Sequence, residues 1–244
     1  EGFTPLAEQL SDPALVSRVL TDYFSLTTAH ILENDGTIIN FVSDAVFAVW
    51  GAPLPDADHA RKAALAAWRL HQASHIEVES RPLRTRVGLH TGRVLAGNIG
   101  SAQRFDYAVV GDAVNFTSRL EGLNKYLGTD ILLSDAILEK LGGAFITRCL
   151  GEFRVAGKTT GHVIHELLGP ADSTPRPPWL DVFARGLDAF RRGDFDAADA
   201  AMGEVISLRN GRDAPSSFYL SEIAALRKAP LPSGWNGIVE LTTK

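Results

Sequence analysis

Apolar residues recur at helical spacing between Asp12 and about Leu32 (Leu15, Val16, Val19, Leu20, Phe24, Leu26, Ile31), and Ser11 or Asp12 is placed to cap the start. Asn34-Asp35-Gly36 marks a turn. Residues 37–42 and 46–50 then read as two strands around a tight corner at Ser43-Asp44, and Pro53 and Pro55 stop the second. An alanine-rich helix is expected over 59–73. Leu83, Thr85, Val87 and Leu89 alternate, which predicts a strand over 83–90. A further strand over 93–97 follows the turn at Thr91-Gly92, and Gly100-Ser101 closes that region. Residues 105–110 form a strand handing over at Gly111-Asp112 to a helix that reaches about Tyr126, with Asp112 expected to cap its first turn. A short strand (131–133), a short helix (135–141) and two closing strands (145–155, 162–167) complete the pattern. Alternating helices and strands around a central sheet predict an α/β class.

The composition changes at Gly169. Residues 169–178 carry four prolines and no apolar periodicity, as a linker does. Beyond it, 179–191, 195–208 and 216–227 are helical in pattern. The first two are joined by Arg192-Gly193-Asp194, a helix-ending glycine followed by a capping aspartate. Small and large residues interleave along this pair (Gly186, Ala189, Phe190, Phe195, Ala197, Ala198, Ala201), so residues 179–244 resemble a tail built on one tetratricopeptide-type hairpin. One hairpin is too few to form a solenoid. It is expected to pack on the preceding domain or on a partner protein.

The 244 residues suffice for one large domain and a smaller appendage, and 45% apolar with 22% charged residues needs no covalent staple. Cys149 is the sole cysteine, which excludes an intrachain disulfide and a cysteine-based metal site. The net charge of -5 comes from interspersed charges, so nucleic acid is not an expected partner. No run approaches the roughly 20 apolar residues of a membrane-spanning helix, and no signal peptide is visible. The opening Glu1-Gly2-Phe3-Thr4, without a methionine, reads as a cut through a longer protein.

Three segments carry chemistry. In Val109-Val110-Gly111-Asp112-Ala113-Val114-Asn115-Phe116-Thr117-Ser118-Arg119-Leu120-Glu121, a strand runs into a helix that stacks Asn115 and Arg119 on one face. A carboxamide and a guanidinium so placed orient a ribose and neutralise phosphoryl charge; a merely solvated helix face is the competing reading. Asp44 sits at the hairpin corner of an otherwise apolar run, either as a turn former or as a divalent-metal ligand. Gly2-Phe3-Thr4 leads towards a helix, where backbone N–H groups receive phosphate oxygens.

In this order the segments resemble the catalytic domain of the class III adenylyl/guanylyl cyclases over residues 1–168. Gly2-Phe3-Thr4, Phe41 with Asp44, Arg86-Val87-Gly88-Leu89-His90-Thr91-Gly92 and Gly111 through Arg119 match the family pattern. The signature of the diguanylate cyclases is absent. The resemblance implies the class III cyclase fold, an α+β sandwich with a ferredoxin-like central sheet flanked by helices, followed here by the 169–178 linker and the small helical region of 179–244. It implies conversion of a nucleoside triphosphate, ATP before GTP, into cyclic nucleotide and pyrophosphate. Asp44 is then one of two carboxylates holding two Mg²⁺ (or Mn²⁺) ions, Asn115 positions the ribose and Arg119 stabilises charge at the α-phosphate. Phe3 and Thr4 offer backbone N–H groups to the phosphates, Lys158 is the surviving lysine of the Val-Lys-Gly-Lys segment and a substrate-binding candidate, and Asn40 and Ala108 occupy the base-contacting positions. In the family the metal carboxylates and the Asn/Arg pair come from opposite subunits, which implies a homodimer.

The sequence departs from the pattern at several of these positions. The first metal aspartate falls two residues before Glu1. Asn40 stands where adenylyl cyclases have lysine, Ala108 where they have aspartate or threonine, Ala156 where a triphosphate-contacting lysine is expected, and Ser43 where glycine is usual. These losses keep open a catalytically impaired pseudo-cyclase that dimerises or binds nucleotide as a regulatory module. A third reading gives the main role to the helical tail as a protein-interaction module. His90, Cys149, Trp50, Phe183, Phe190 and Trp235 are read as packing residues. The segment from Gly234 to Lys244 is similar to the tails of bacterial cyclases with an upstream sensor and membrane helices, so the parent protein is expected in the inner membrane with this part in the cytoplasm.

Overall fold

The computed structural model describes residues 12–73, 77–78, 81–82, 84–155, 160–228, 230–231 and 234–241. Helix α1 (Pro13–Leu32) starts where the Asp12 carboxylate accepts from the Ala14 N–H, with proline in the first turn where its missing N–H costs nothing. A hairpin of β1 (Thr37–Val42) and β2 (Ala45–Val49) follows, then α2 (His59–Ala73) and the two-residue strands β3 (Glu77–Val78) and β4 (Arg81–Pro82). Next come β5 (Val87–Leu89), β6 (Leu95–Gly100), β7 (Phe105–Val110) and α3 (Asp112–Leu127). The chain continues through β8 (Ile131–Ser134), α4 (Asp135–Leu141), β9 (Phe145–Val155) and β10 (His162–Pro170). The tail contributes α5 (Trp179–Arg191), α6 (Phe195–Leu208), α7 (Ala214–Leu226) and β11 (Val239–Leu241).

The main sheet has the order β11-β9-β10-β8-β5, while β1–β2 and β6–β7 are separate antiparallel pairs. Strand β8 shows how the sheet divides two cores. Ile131 and Leu133 face one cluster with Ala60, Ala63, Ala64 and Ala67 of α2 and Ile137 and Leu141 of α4. Leu132 faces the other cluster, with Phe116, Leu120, Leu123 and Leu127 of α3 and Val182, Phe183, Phe190, Met202, Tyr219 and Ile223 of the tail. This is an α/β sandwich, with α2 and α4 on one face and α3 with the C-terminal helices on the other. The tail helices share the α3 core, and β11 pairs in parallel with the end of β9.

Several boundaries move from the sequence pattern. Residues 84–86 carry no strand assignment, although the alternation extends through them; the parallel partner β8 begins at Ile131, opposite Val87. Strand β6 runs three residues past Gly97, to Gly100, because β7 pairs with it to Phe105. Gly111, not Asp112, occupies the cap of α3, and Asp112 is its first residue. Strand β10 extends to Pro170, into the proline-rich stretch. Helix α7 starts at Ala214, not Ser216, because the Asp213 carboxylate accepts from the Ser216 N–H. Ala197 is solvent-exposed, whereas Gly186 admits Ala201 and Met202, each 3.0 Å from a Cβ built there.

Candidate active site

Helix α3 presents Asn115 and Arg119 to solvent while Phe116, Leu120, Leu123 and Leu127 bury its other side. Neither Asn115 nor Arg119 makes a hydrogen bond or ion pair among the described residues. Their neighbour Arg86 behaves differently, standing 3.1 Å from Glu121. An exposed amide and guanidinium side by side, held on a rigid element, are available to a ligand.

The glycine motif explains how that helix is seated. A Cβ at Gly88 of β5 would lie 2.5 Å from the Glu121 nitrogen and 2.8 Å from the Thr117 carbonyl oxygen. A Cβ at Gly92 would lie 2.9 Å from the Ala113 Cβ. Gly88 therefore lets the backbone of α3 approach closely, and Gly92 leaves room for the Ala113 side chain in its first turn. Asn124 completes the seat, donating to the Val87 carbonyl at 3.0 Å and accepting from Thr129 at 2.8 Å. At the other end of the motif, His90 packs on Phe116 (ring centroids 4.7 Å apart) and contacts Ser134 Oγ at 2.8 Å. Burial, reinforced by nearby His162, holds the His90 imidazole below its ordinary pKa, against the pull of Asp112. It is a packed strand-end residue.

Asp44 is half-buried at the β1–β2 corner and forms no hydrogen bond or ion pair among the described residues. The corner is made by Ser43 at φ 56°, a left-handed conformation that glycine adopts without cost. Tyr23 of α1 lies close enough to Asp44 and Glu121 to feel both charges; burial first, then these carboxylates, raise its pKa, against hydrogen bonds with Thr85 and Thr27. Asp44 offers the hard oxygen ligand that magnesium prefers. One carboxylate supplemented by substrate phosphates and water is an ordinary magnesium environment, so the residue fits the metal role. Among the described residues no group of three His, Cys, Asp or Glu side chains converges to hold an ion without substrate.

Asn40 is exposed on β1 opposite Phe47, next to a register shift, and Ala108 is half-buried on β7 opposite Gly97. Strands β1 and β7 lie against one another, so Asn40 and Ala108 stand on neighbouring elements. Asp44 is not bonded to Asn115 or Arg119 within this chain. Phe3, Thr4 and Lys158 lie outside the described residues. Sequence reasoning passed over the seating role of Gly88 and Gly92; for Gly88 the available signal was a glycine inside a strand pattern, which marks a close backbone approach.

Residues 1–166 match the family of the adenylate and guanylate cyclase catalytic domain, and the chain belongs to that family. The chain is 39% identical over 173 residues to adenylate cyclase 1 of Rhizobium meliloti (strain 1021), a match covering 68% of this chain and 26% of that protein. It therefore spans about a quarter of that relative's length. The crystal structure of the adenylyl cyclase CyaB from P. aeruginosa superposes with a TM-score of 0.62 at 26% identity, covering 72% of this chain and 92% of that one. The guanylyl cyclase Cya2 gives 0.59 at 30% identity, covering 72% and 91%. The domain of RhGC from Catenaria anguillulae was solved with GTP (TM-score 0.59, 24% identity, covering 69% and 91%). That of the RhoGC fusion protein from Blastocladiella emersonii is a non-canonical dimer (0.59, 22%, covering 69% and 91%). Among the described residues no helix is long and apolar enough to cross a membrane.

Proposed function

We propose that this chain converts ATP into cyclic AMP and pyrophosphate as a homodimer with its active sites between subunits. The observation that carries this reading is the exposed Asn115 and Arg119 pair, without partners among the described residues, on a helix seated by Gly88 and Gly92. The ribose 3′-oxygen attacks the α-phosphorus, forming one P–O bond while the bond to the β,γ-pyrophosphate breaks. The hydroxyl proton leaves to solvent. Asn115 holds the ribose so that the 3′-oxygen lies in line with the leaving group, and Arg119 hydrogen-bonds the α-phosphate oxygens as charge grows there. Asp44 would hold Mg²⁺ or Mn²⁺, which when bound lowers the pKa of the 3′-hydroxyl and neutralises the triphosphate. Phe3 and Thr4 backbone groups and Lys158 are assigned to the phosphates, and Asn40 to the purine edge.

The homodimer is supported by exposed apolar side chains around the second hairpin. Leu95 is 68% exposed, Phe105 62% and Val110 54%, and β6 and β7 hydrogen-bond only to each other among the described residues. An isolated two-stranded ribbon is marginal in water, and a second copy would cover it. With Asp44 and the Asn115–Arg119 pair unbonded within one chain, each site would take its metal carboxylate from one subunit and the pair from the other. Identity to an adenylate cyclase favours ATP over GTP.

A second reading rests on Ala108, whose side chain offers no polar atom to a base. It makes the chain a pseudo-cyclase that binds nucleotide without turning it over. The readings separate by incubating the full-length protein with ATP or GTP and Mg²⁺ or Mn²⁺ and identifying the product by mass spectrometry. Cyclic AMP supports the proposal, and cyclic GMP reassigns the substrate. Nucleotide-dependent thermal protection without product from a folded dimer supports the pseudo-cyclase.

A further inference from the structure

The C-terminal helices grip the sheet through a buried ionic cluster. Arg148 of β9 is 2% exposed, and its guanidinium meets both Asp213 oxygens at 2.9 Å and Glu166 of β10 at 2.8 Å through Nε. Arg209 pairs with Asp213 as well, and the guanidinium groups of Arg148 and Arg209 both lie over the Trp179 ring, at 4.9 and 4.6 Å. Asp213 is simultaneously the cap of α7, accepting from the Ser216 N–H and hydroxyl. One carboxylate thus fixes where α7 begins and ties that point to the sheet. A turn further on, the buried Tyr219 hydroxyl donates to the Leu150 carbonyl, and Gly151 leaves the room it needs, since a Cβ there would lie 2.3 Å from that oxygen.

Helix α7 placed in this way closes over α3. The left-handed Gly128 that ends α3 (φ 65°) meets the first residue of α7; a Cβ on it would lie 2.4 Å from that of Ala214. Phe116, Leu120, Leu123 and Leu127 share one apolar cluster with Tyr219, Ile223 and Phe183. The helix that carries Asn115 and Arg119 is therefore held between Gly88 of β5 and α7 of the tail.

We infer that Asp213 and Tyr219 are positioning residues for Asn115 and Arg119, and that α7 forms an integral buttress of the helix that carries this pair. This inference rests on the cyclase reading of α3 for its kinetic consequence but not for its structural one. Loss of either contact lets α7 drift, α3 follows, and the pair moves off the reacting phosphate. A misplacement of about 1 Å costs up to on the order of 100-fold in rate.

The test compares Asp213→Asn, the milder Tyr219→Phe and a control, Met202→Ala, in the full-length protein. Met202 is buried against Gly186 between α5 and α6, in the apolar cluster that α3 also joins, and takes no part in the ionic cluster, so it controls for a general loss of core packing. Amide hydrogen exchange of residues 112–127 and the kcat and KM of cyclic-nucleotide formation are measured for each. Expected are faster exchange in α3 for Asp213→Asn and Tyr219→Phe, and kcat lowered about tenfold and about threefold, respectively, with KM changed less than twofold. Met202→Ala, although its melting temperature falls, keeps the kcat and α3 exchange of the wild type. Unchanged exchange and kcat in both Asp213→Asn and Tyr219→Phe overturn the inference, as does an equal kcat loss in Met202→Ala. If the wild type forms no cyclic product, the cyclase reading fails, and exchange in α3 alone decides whether α7 holds it.

Discussion

Gly88→Ala tests the seat of α3, the helix that carries Asn115 and Arg119, with a single methyl group. The new Cβ would lie 2.5 Å from the Glu121 nitrogen, 2.8 Å from the Thr117 oxygen and 3.0 Å from the Glu121 Cα, all backbone atoms of α3. Ordinary contact begins at 3.4 Å, so α3 must retreat by 3.4 − 2.5 = 0.9 Å. Overpacking of this kind costs about 1–3 kcal/mol, which for a chain of this size lowers the melting temperature by about 2–12 °C. The larger effect falls on rate, because Asn115 and Arg119 move with the helix; a shift near 1 Å costs on the order of 100-fold in kcat. Gly122, one turn along the same helix, has nothing within 4 Å of its would-be Cβ. Gly122→Ala therefore keeps wild-type turnover and gains up to about 1 kcal/mol from helix propensity. Calorimetry and a mass-spectrometric assay of cyclic product measure both variants. A Gly88→Ala enzyme within twofold of wild-type kcat would refute the argument, and so would a Gly122→Ala enzyme that loses activity equally.

Two further predictions follow from the site and the core. Asp44→Asn removes a carboxylate that is unbonded among the described residues, so the melting temperature stays within about 2 °C, as expected for a substitution off the core. Metal-dependent turnover and the metal-induced thermal shift in the presence of nucleotide are both lost, and a retained shift would show that Asp44 is not a ligand. Stability also falls on acidification. Burial holds His90 and His165 below the ordinary imidazole pKa of 6.5, against the pull of Asp112 and Asp135, respectively. The unfolded chain then binds more protons as pH drops below 6.5, so the contribution is full above that value and is lost through the lowered folded pKa values. Melting temperatures measured from pH 7.5 down to 5 should decline, with a shallower slope in His165→Asn; an unchanged slope in that variant contradicts the assignment.

The placement of Asn115 and Arg119 on α3 was legible because it is local. Asn115 and Arg119 share a face by helix period alone, and the hairpin corner at Asp44 declares itself by its turn residues. Asp12 and Asp194 cap their helices as read, since a cap depends on residues two or three positions away. What stayed hidden depends on partners far along the chain. Arg148 looks like any strand arginine until Glu166 and Asp213 converge on it, from separations of 18 and 65 residues. The length of β6 is set by β7, and β11 exists because the exposed edge of β9 accepts it. Asp213, not the Ser216 start of the apolar pattern, decides where α7 begins. The glycines of the Arg86–Gly92 motif were visible as a pattern, but their reason, the approach of α3, belongs to tertiary packing.

The central claim is that Arg119 acts on the reacting phosphate and on nothing in the fold. The most direct test is cyclic-nucleotide formation from ATP and GTP by the full-length wild type and Arg119→Ala, with thermal unfolding of both. Because Arg119 is exposed and unpaired among the described residues, the substitution should change stability by no more than about 0.5 kcal/mol. It should lower kcat by at least about 100-fold, as the loss of a preorganised charge donor does. Wild-type turnover that survives Arg119→Ala, or no cyclic product from the folded, dimeric wild type, would contradict the account.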